Sequence, residues 1–400
     1  MNFKSNFKSI GKTTFFSLLS LFSLLSLILG SACQHKNPRS SSKNSNPYRP
    51  PLLAGWGHVL DDKYVSGNLP ITLATPAVFE ESVFVPFNGE NKKVIEFDLY
   101  SGKILREYPH ALGEVTTGVG VTKDAVYYGT ILGRFFAYSR KTGELLYSLD
   151  VESGIDSTPI VHSGRLFFHT RGHKLFALDA LTGKILWAYK RSVSFPTSSQ
   201  GATPPLIQGD KLFTGTADGS VLCFRLSDGA LLWEQKISQG IKGNNFIDVD
   251  LPFVLLEDNK NKWLVAAAYT GPLTILDQET GAIFLTTQIT AVTSFLKTPE
   301  NLLLIGTSFG EMFILDKNFQ VVKKQKISSH SLLNMSAYKE GYLVGTSGGE
   351  IFYGTLSSSL FSEKQKILLG HSHSIISQQF LITPSRFLFL TSRGRLLSFF

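Results

Sequence analysis

"FALDALTGKILWAYK", residues 176–190, runs an apolar stretch into an Asp-x-x-Thr-Gly corner and out again into a second apolar stretch holding Trp187. Close variants of it are "IEFDLYSGKILREY" (95–108), "FAYSRKTGELLYSL" (136–149), "LCFRLSDGALLWEQ" (222–235) and "TILDQETGAIFLTT" (274–287). The chain is therefore an array. Its corner glycines Gly102, Gly143, Gly183, Gly229 and Gly281 are spaced by 41, 40, 46 and 52 residues, a period that means a propeller or a helical solenoid. The segment 157–190 separates the two. It holds four short apolar runs, "PIV", "RLFFHT", "KLFALD" and "ILWAYK", divided by the Gly-bearing "HSG", "RGH" and "ALTG". Runs of that length, rich in β-branched and aromatic residues, are antiparallel strands, so each repeat is a four-stranded blade.

The corner has its own chemistry. Asp179 can accept a hydrogen bond from backbone two residues on, and Gly183 supplies the positive φ that lets the last strand reverse. Trp187 and Trp233 recur at one place in the outer strand, where a large ring can cover the gap between blades; with Gly229 and Gly281 they are expected to be structural. Segments 302–327 and 342–367 are degenerate sixth and seventh copies; in the sixth the corner Gly is lost to Asn318. The eighth copy, 374–400, stops after three strands, while "AGWGHVL" (54–60) has the pattern of a post-corner strand around Trp56. The expectation is an all-β, eight-bladed propeller of four-stranded antiparallel blades, closed by pairing of the N-terminal strand with the C-terminal blade, which leaves no open sheet edge. A membrane barrel does not fit, despite the terminal "SFF", because "LLLIG" and "FLFL" do not alternate lipid-facing and lumen-facing positions. "GHSHSI" (370–375) matches the opening of a WD repeat, but no Trp-Asp closes any copy.

The formal charge is +8, and Lys4, Lys8, Lys12, Lys36, Arg39, Lys43 and Arg49 supply seven of those charges with no acid among residues 1–53, leaving +1 on 54–400. A nearly neutral body does not track phosphates, so nucleic acid is not an expected partner. Residues 1–32 read as an export signal, with a Lys-bearing start, the apolar "FFSLLSLFSLLSLILG" (15–30) and small residues before Cys33. "LGSAC" (29–33) resembles the lipobox of bacterial lipoproteins, with Gly30 where Leu is usual; an ordinary signal peptide with an incidental Cys is the alternative. The resemblance implies a lipidated Cys33 on a membrane, and Gln34 after it, by likeness to sorted lipoproteins, points to the outer one. Residues 33–53 would then be the lipidated Cys and a Ser-, Asn- and Pro-rich tether of about 25 Å reach. Cys223 is left as a lone thiol in "SVLCFRL", so no disulfide framework exists.

"ALDALTGKILW" (177–187) resembles the Ala-x-Asp-x-x-Thr-Gly-x-x-x-Trp repeat of quinoprotein-type (PQQ-like) propellers. Within that superfamily, residues 54–400 and the leader resemble the BamB family of outer-membrane β-barrel assembly lipoproteins, most specifically in "LLWEQKISQG" (231–240) leading to "DVD" (248–250), and then in "AAAYTGPLTILDQETG" (266–281). The resemblance implies a non-catalytic scaffold on the periplasmic side of the outer membrane. Its partner would be the barrel-forming assembly subunit, and nascent outer-membrane proteins paired along exposed blade edges are a second implied partner. The alternatives are a quinone- or metal-dependent oxidoreductase, or a propeller lipoprotein with another envelope partner.

Against an enzyme, the sequence has no Cys-Cys pair beside a quinone and no Cys-x-x-Cys-His haem site. "SIGKTT" (9–14) lacks the earlier Gly of a phosphate loop. His371 and His373 could place two imidazoles on one strand face without an evident third metal ligand, and Asp248 with Asp250 offer too few oxygens for Ca²⁺. No catalytic residue, cofactor or metal is expected.

A recognition surface remains. Connectors from the fourth strand to the next blade share a face with those between strands two and three, and two of the former are long: 191–205 and 238–250, on consecutive blades. In the BamB family the matching loops engage the assembly subunit through an Arg in the first and an acidic pair in the second. Asp248 and Asp250 carry over; the Arg does not, since Gln200 before Gly201 stands in its place, and Phe195 offers an apolar anchor instead. The alternative for the acidic pair is that it only orders its own loop.

Overall fold

The computed structural model describes residues 52–400 apart from 61–74, 89–90, 111–112, 116, 156, 192–202, 239–246, 258–260, 269–270, 358–359, 370–378 and 392–393. Among the described residues there is no α-helix, and 32 strands form eight four-stranded antiparallel sheets. In blade 3 the strands, from the inner to the outer edge, are Ile160–His162, Arg165–His169, Lys174–Asp179 and Ile185–Lys190. Seven blades follow this chain order. The eighth is built from Leu381–Ile382, Phe387–Leu390, Arg395–Phe399 and, on its outer edge, Ala54–Val59, with Ala54 opposite Phe399 and Val59 opposite Arg395. The ring is closed by the N-terminal strand.

The period of two along a strand explains where the core sits. In Lys211–Gly215 of blade 4, Leu212 packs with blade 3 and the next residue, Phe213, with blade 5, and both are fully buried. The same alternation in every blade yields eight hydrophobic clusters, one per seam between neighbours, instead of one central core. The second and third strands are apolar on both faces because each face meets a neighbouring blade. The outer strands alternate, as Ile185–Lys190 does, because one side of them is wet.

The corner is a locking device as well as a turn. Asp179 Oδ1 accepts from Thr182 N at 2.8 Å and from Thr182 Oγ1 at 2.7 Å, so its shortest bonds run three residues on. These bonds hold the Asp179 carboxyl below the usual carboxylate range. Gly183 has φ +74°. A Cβ there would lie 2.6 Å from the Tyr147 ring of blade 2, just as one on Gly229 would strike Trp187 and one on Gly281 would strike Trp233. Where a tryptophan ring lies above a corner it also donates to the equivalent carbonyl: Trp187 Nε1 to Leu226 O at 3.2 Å, Trp233 Nε1 to Gln278 O at 3.2 Å, and Trp56 Nε1 to Leu99 O at 2.9 Å. Each ring thus binds its blade to the next.

Blades 5 to 7 keep the seams with other residues, and blade 1 sets Arg106 over Gly143. At the sixth corner the left-handed position belongs to Phe319 (φ 61°) and not to Asn318, because Phe319 N bonds Asp316 O and tightens the turn by one residue. The blade-5 residue at the ring position is Leu285, and Phe319 supplies the ring from the other side, 6.3 Å from Trp263. Blade 7 has no such corner: its third and fourth strands extend to Glu350–Ser357 and Leu360–Leu368. Gln325 of blade 6 bonds the Phe361 backbone in both directions, and Gln365 does the same to Leu52, at 2.8 and 3.1 Å.

Candidate functional site

The two long connectors leave blades 3 and 4 on the face opposite the corners, and both rest on the turn between strands two and three of blade 4. Arg191 opens the first connector. Its Nη2 donates to Asp218 Oδ2 at 2.6 Å and to Glu234 Oε1 at 2.8 Å, and its backbone N reaches His173 O at 3.1 Å. The hydrogen bond to Glu234, opposed by burial and aided by Asp218, raises the Arg191 pKa still further, so the anchor is charged at any ordinary pH. Burial disfavours ionisation of Asp218, but Thr216 and Arg191 outweigh it and hold the carboxyl below its usual range. At the far end of this connector, the fully buried Thr203 donates its hydroxyl to Val249 O in the second connector. The two segments are therefore joined to each other.

The second connector starts at Ser238, whose Oγ donates to Asp218 O at 3.2 Å, and ends where Val249 N donates to Thr216 O at 3.0 Å. Asp248 and Asp250 are each 2% exposed, so neither carboxylate stands on the surface of this chain. A carboxylate is buried only where donors surround it, which ties both residues to the shape of the loop end. Phe195, Gln200, Gly201, His371 and His373 lie outside the described residues, as does Cys33.

The floor under the connectors escaped the sequence reading. A Cβ at Gly215 would sit 2.2 Å from Val249 O and 2.6 Å from Thr203 Oγ1, and one at Gly219 would sit 2.2 Å from Ser238 Oγ, so both connectors need bare backbone beneath them. The signal was available as a second periodic motif, Gly-Thr-x-x-Gly, at 129–133, 215–219, 306–310 and 345–349. In each copy the Thr hydroxyl accepts from the backbone N four residues on, as in Ser220 N to Thr216 Oγ1 at 3.1 Å. Blade 3 breaks the motif by placing His169 and His173 at the two glycine positions. Their rings meet edge to face at 6.4 Å, buried beside the start of the first connector. Burial, with His173 adding to it, brings His169 down to about 4, so that ring is neutral at physiological pH.

Little here suits chemistry. Among the described residues no three His, Cys, Asp or Glu side chains are grouped to hold a metal ion. Cys223 is free and fully buried, and burial pushes its thiol up to about 12, far from a nucleophile's range. Among the described residues no helix is long and apolar enough to cross a membrane.

Residues 90–326 match the family model described as outer membrane protein assembly factor BamB. The chain belongs to the BamB family. It is similar to the outer membrane protein assembly factor BamB of Moranella endobia, 26% identical over 347 residues that cover 80% of this chain and 84% of the relative. Among solved structures it superposes on BamB from Moraxella catarrhalis with a TM-score of 0.69 at 16% identity, covering 87% of this chain and 99% of that one. The quinone alcohol dehydrogenase subunit of Gluconobacter oxydans is 33% identical, but over 92 residues, 22% of this chain and 12% of that subunit. In sequence, then, the BamB likeness covers 80% of this chain and the likeness to that dehydrogenase subunit 22%.

Proposed function

We propose that this chain is a non-catalytic scaffold lipoprotein of the outer-membrane β-barrel assembly machinery, anchored by Cys33 on the periplasmic side. In this reading it docks the barrel-forming assembly subunit through connectors 191–205 and 238–250. The observation that carries the proposal is the joining of two long connectors on one face of consecutive blades, through Thr203 and Val249, in a chain of the BamB family. Phe195, Gln200 and Gly201 would meet the partner directly. Asp248 and Asp250, buried as they are, would serve docking by holding the second connector in shape. The chemistry of the face supports recognition and offers no nucleophile or metal cluster among the described residues.

The test is affinity purification of the tagged full chain from mildly solubilised envelopes, with mass spectrometry of what accompanies it. The wild type should bring down a barrel-forming subunit, and a Phe195→Ala, Gln200→Ala double variant of unchanged melting temperature should lose it. A wild type that brings down no such subunit, under conditions that preserve the assembly machine, would sink the proposal.

A further inference from the structure

The corner face of the ring exposes apolar side chains blade after blade. Of the 22 large hydrophobic residues exposed among the described residues, 18 lie on this face or at the corner end of an outer strand. The cause is local and repeated. A β-bulge follows each corner: Leu178 pairs with Ile185 and Ala177 with Trp187, so Leu186 faces no partner. Two consecutive aliphatic side chains are left at the rim, Ile185 at 50% and Leu186 at 44% exposure. Blades 1 to 6 each present such a pair, as Ile104 with Leu105 and Val321 with Val322 do, with Phe284 as the second member in blade 5, and blades 7 and 8 add Leu360, Leu53 and Phe400. An apolar ring of this extent on one face marks an interaction surface.

The chain also enters the propeller on this face. Leu53 N donates to Phe400 O at 2.8 Å and Phe400 N to Leu53 O at 2.9 Å, where other blades have their corner, and Leu52 is gripped by Gln365. Only the 18 residues 34–51 separate this point from Cys33 along the sequence.

We infer that the corner face is turned toward the lipid surface, with its rim of paired aliphatic residues against the headgroup layer, and that the two long connectors point away from the membrane. The inference rests on the anchor at Cys33 in the reading above. A lipid surface, unlike a protein partner, needs no shape complementarity and is met by all blades of a ring alike. The connectors then face the aqueous space, where a partner's soluble domains can reach them.

The test uses the full lipidated chain in phosphatidylethanolamine–phosphatidylglycerol vesicles, labelled with bimane at Leu186→Cys, Lys190→Cys or Leu132→Cys; the buried Cys223 does not compete for label. Leu186 and Lys190 belong to one outer strand, with Leu186 at its corner end and Lys190 at the other. Doxyl-lipid quenching should be several-fold greater at position 186 than at 190 or 132. Equal quenching, or the reverse order, would overturn the orientation while leaving the anchor intact. A chain that fails to float with vesicles would instead remove the anchor itself. Doubled mass by light scattering with no quenching would assign the apolar ring to self-association and overturn the proposal.

Discussion

Trp233 and Gly281 test the idea that seams between blades, not blades, are the units of stability. The Trp233 ring is 9% exposed, lies 5.8 Å from Phe213, donates to Gln278 O, and rests on Gly281, where a Cβ would sit 2.5 Å from its Cε3. Trp233→Ala leaves a ring-sized void and an unmet carbonyl, a loss of about 3–5 kcal/mol. With an unfolding entropy of about 2.1 cal/mol/K per residue, 1 kcal/mol corresponds to about 1.4 °C in a ring of this size, so the melting temperature should fall by about 4–7 °C. Gly281→Ala carries two separate costs. A left-handed alanine costs about 1–2 kcal/mol, and pushing the ring aside costs about 1–3 kcal/mol more. Only the second depends on Trp233. In the Trp233→Ala background the cost of Gly281→Ala should therefore shrink by about 1–3 kcal/mol, read from circular-dichroism melts of the four proteins in a double-mutant cycle. If Gly281→Ala costs the same in both backgrounds, the corner glycine is needed for its φ alone and the account of the seam is wrong.

Three further outcomes follow from the same contacts. His169 is neutral when folded because burial lowers it to about 4, so an unfolded chain takes up its proton first; stability should decline as pH falls from 6.5 toward 4, and His169→Phe should flatten that decline in melts across the range. Burial alone would raise Glu350, but hydrogen bonds from Lys366, Ser328 and His330 outweigh it and hold the carboxyl at about 2; its contribution, complete above about 4.5, should vanish between 4.5 and 2, and Glu350→Gln should unfold over a shallower acid transition. Gln365→Ala cuts both bonds to Leu52, and hydrogen exchange of residues 54–59 should quicken about ten-fold while the outer strand of blade 3 stays protected.

The repeat was legible because a corner with a carboxylate, a hydroxyl and a left-handed glycine admits few other residues, so Asp179, Thr182 and Gly183 announce their geometry. Blade closure was legible too, since a copy lacking its fourth strand and a stray strand around Trp56 complete each other. What escaped had a different origin. Phe319 takes the sixth corner because the turn is one residue shorter, and that length depends on which backbone pair closes it, not on composition. The burial of Asp248 and Asp250 was hidden because a loop's solvent exposure is set by what lies beneath it, here the bare backbone of Gly215 and Gly219 in another segment. The floor motif itself was written in the sequence, in step with the corners, but a Thr and two glycines attract less notice than a tryptophan.

The pairing of Ala54 with Phe399 joins positions 345 residues apart. Contacts of that separation form last, since all the intervening chain must be in place before they stabilise anything. For a chain delivered amino terminus first, residues 54–59 arrive well before residues 395–399 and then wait for them. Completion of the ring therefore reports that residues 395–399 have been delivered. A product cut short by even its last strand would keep seven blades yet release its own beginning, and would display at both termini the unpaired edges that invite a protease.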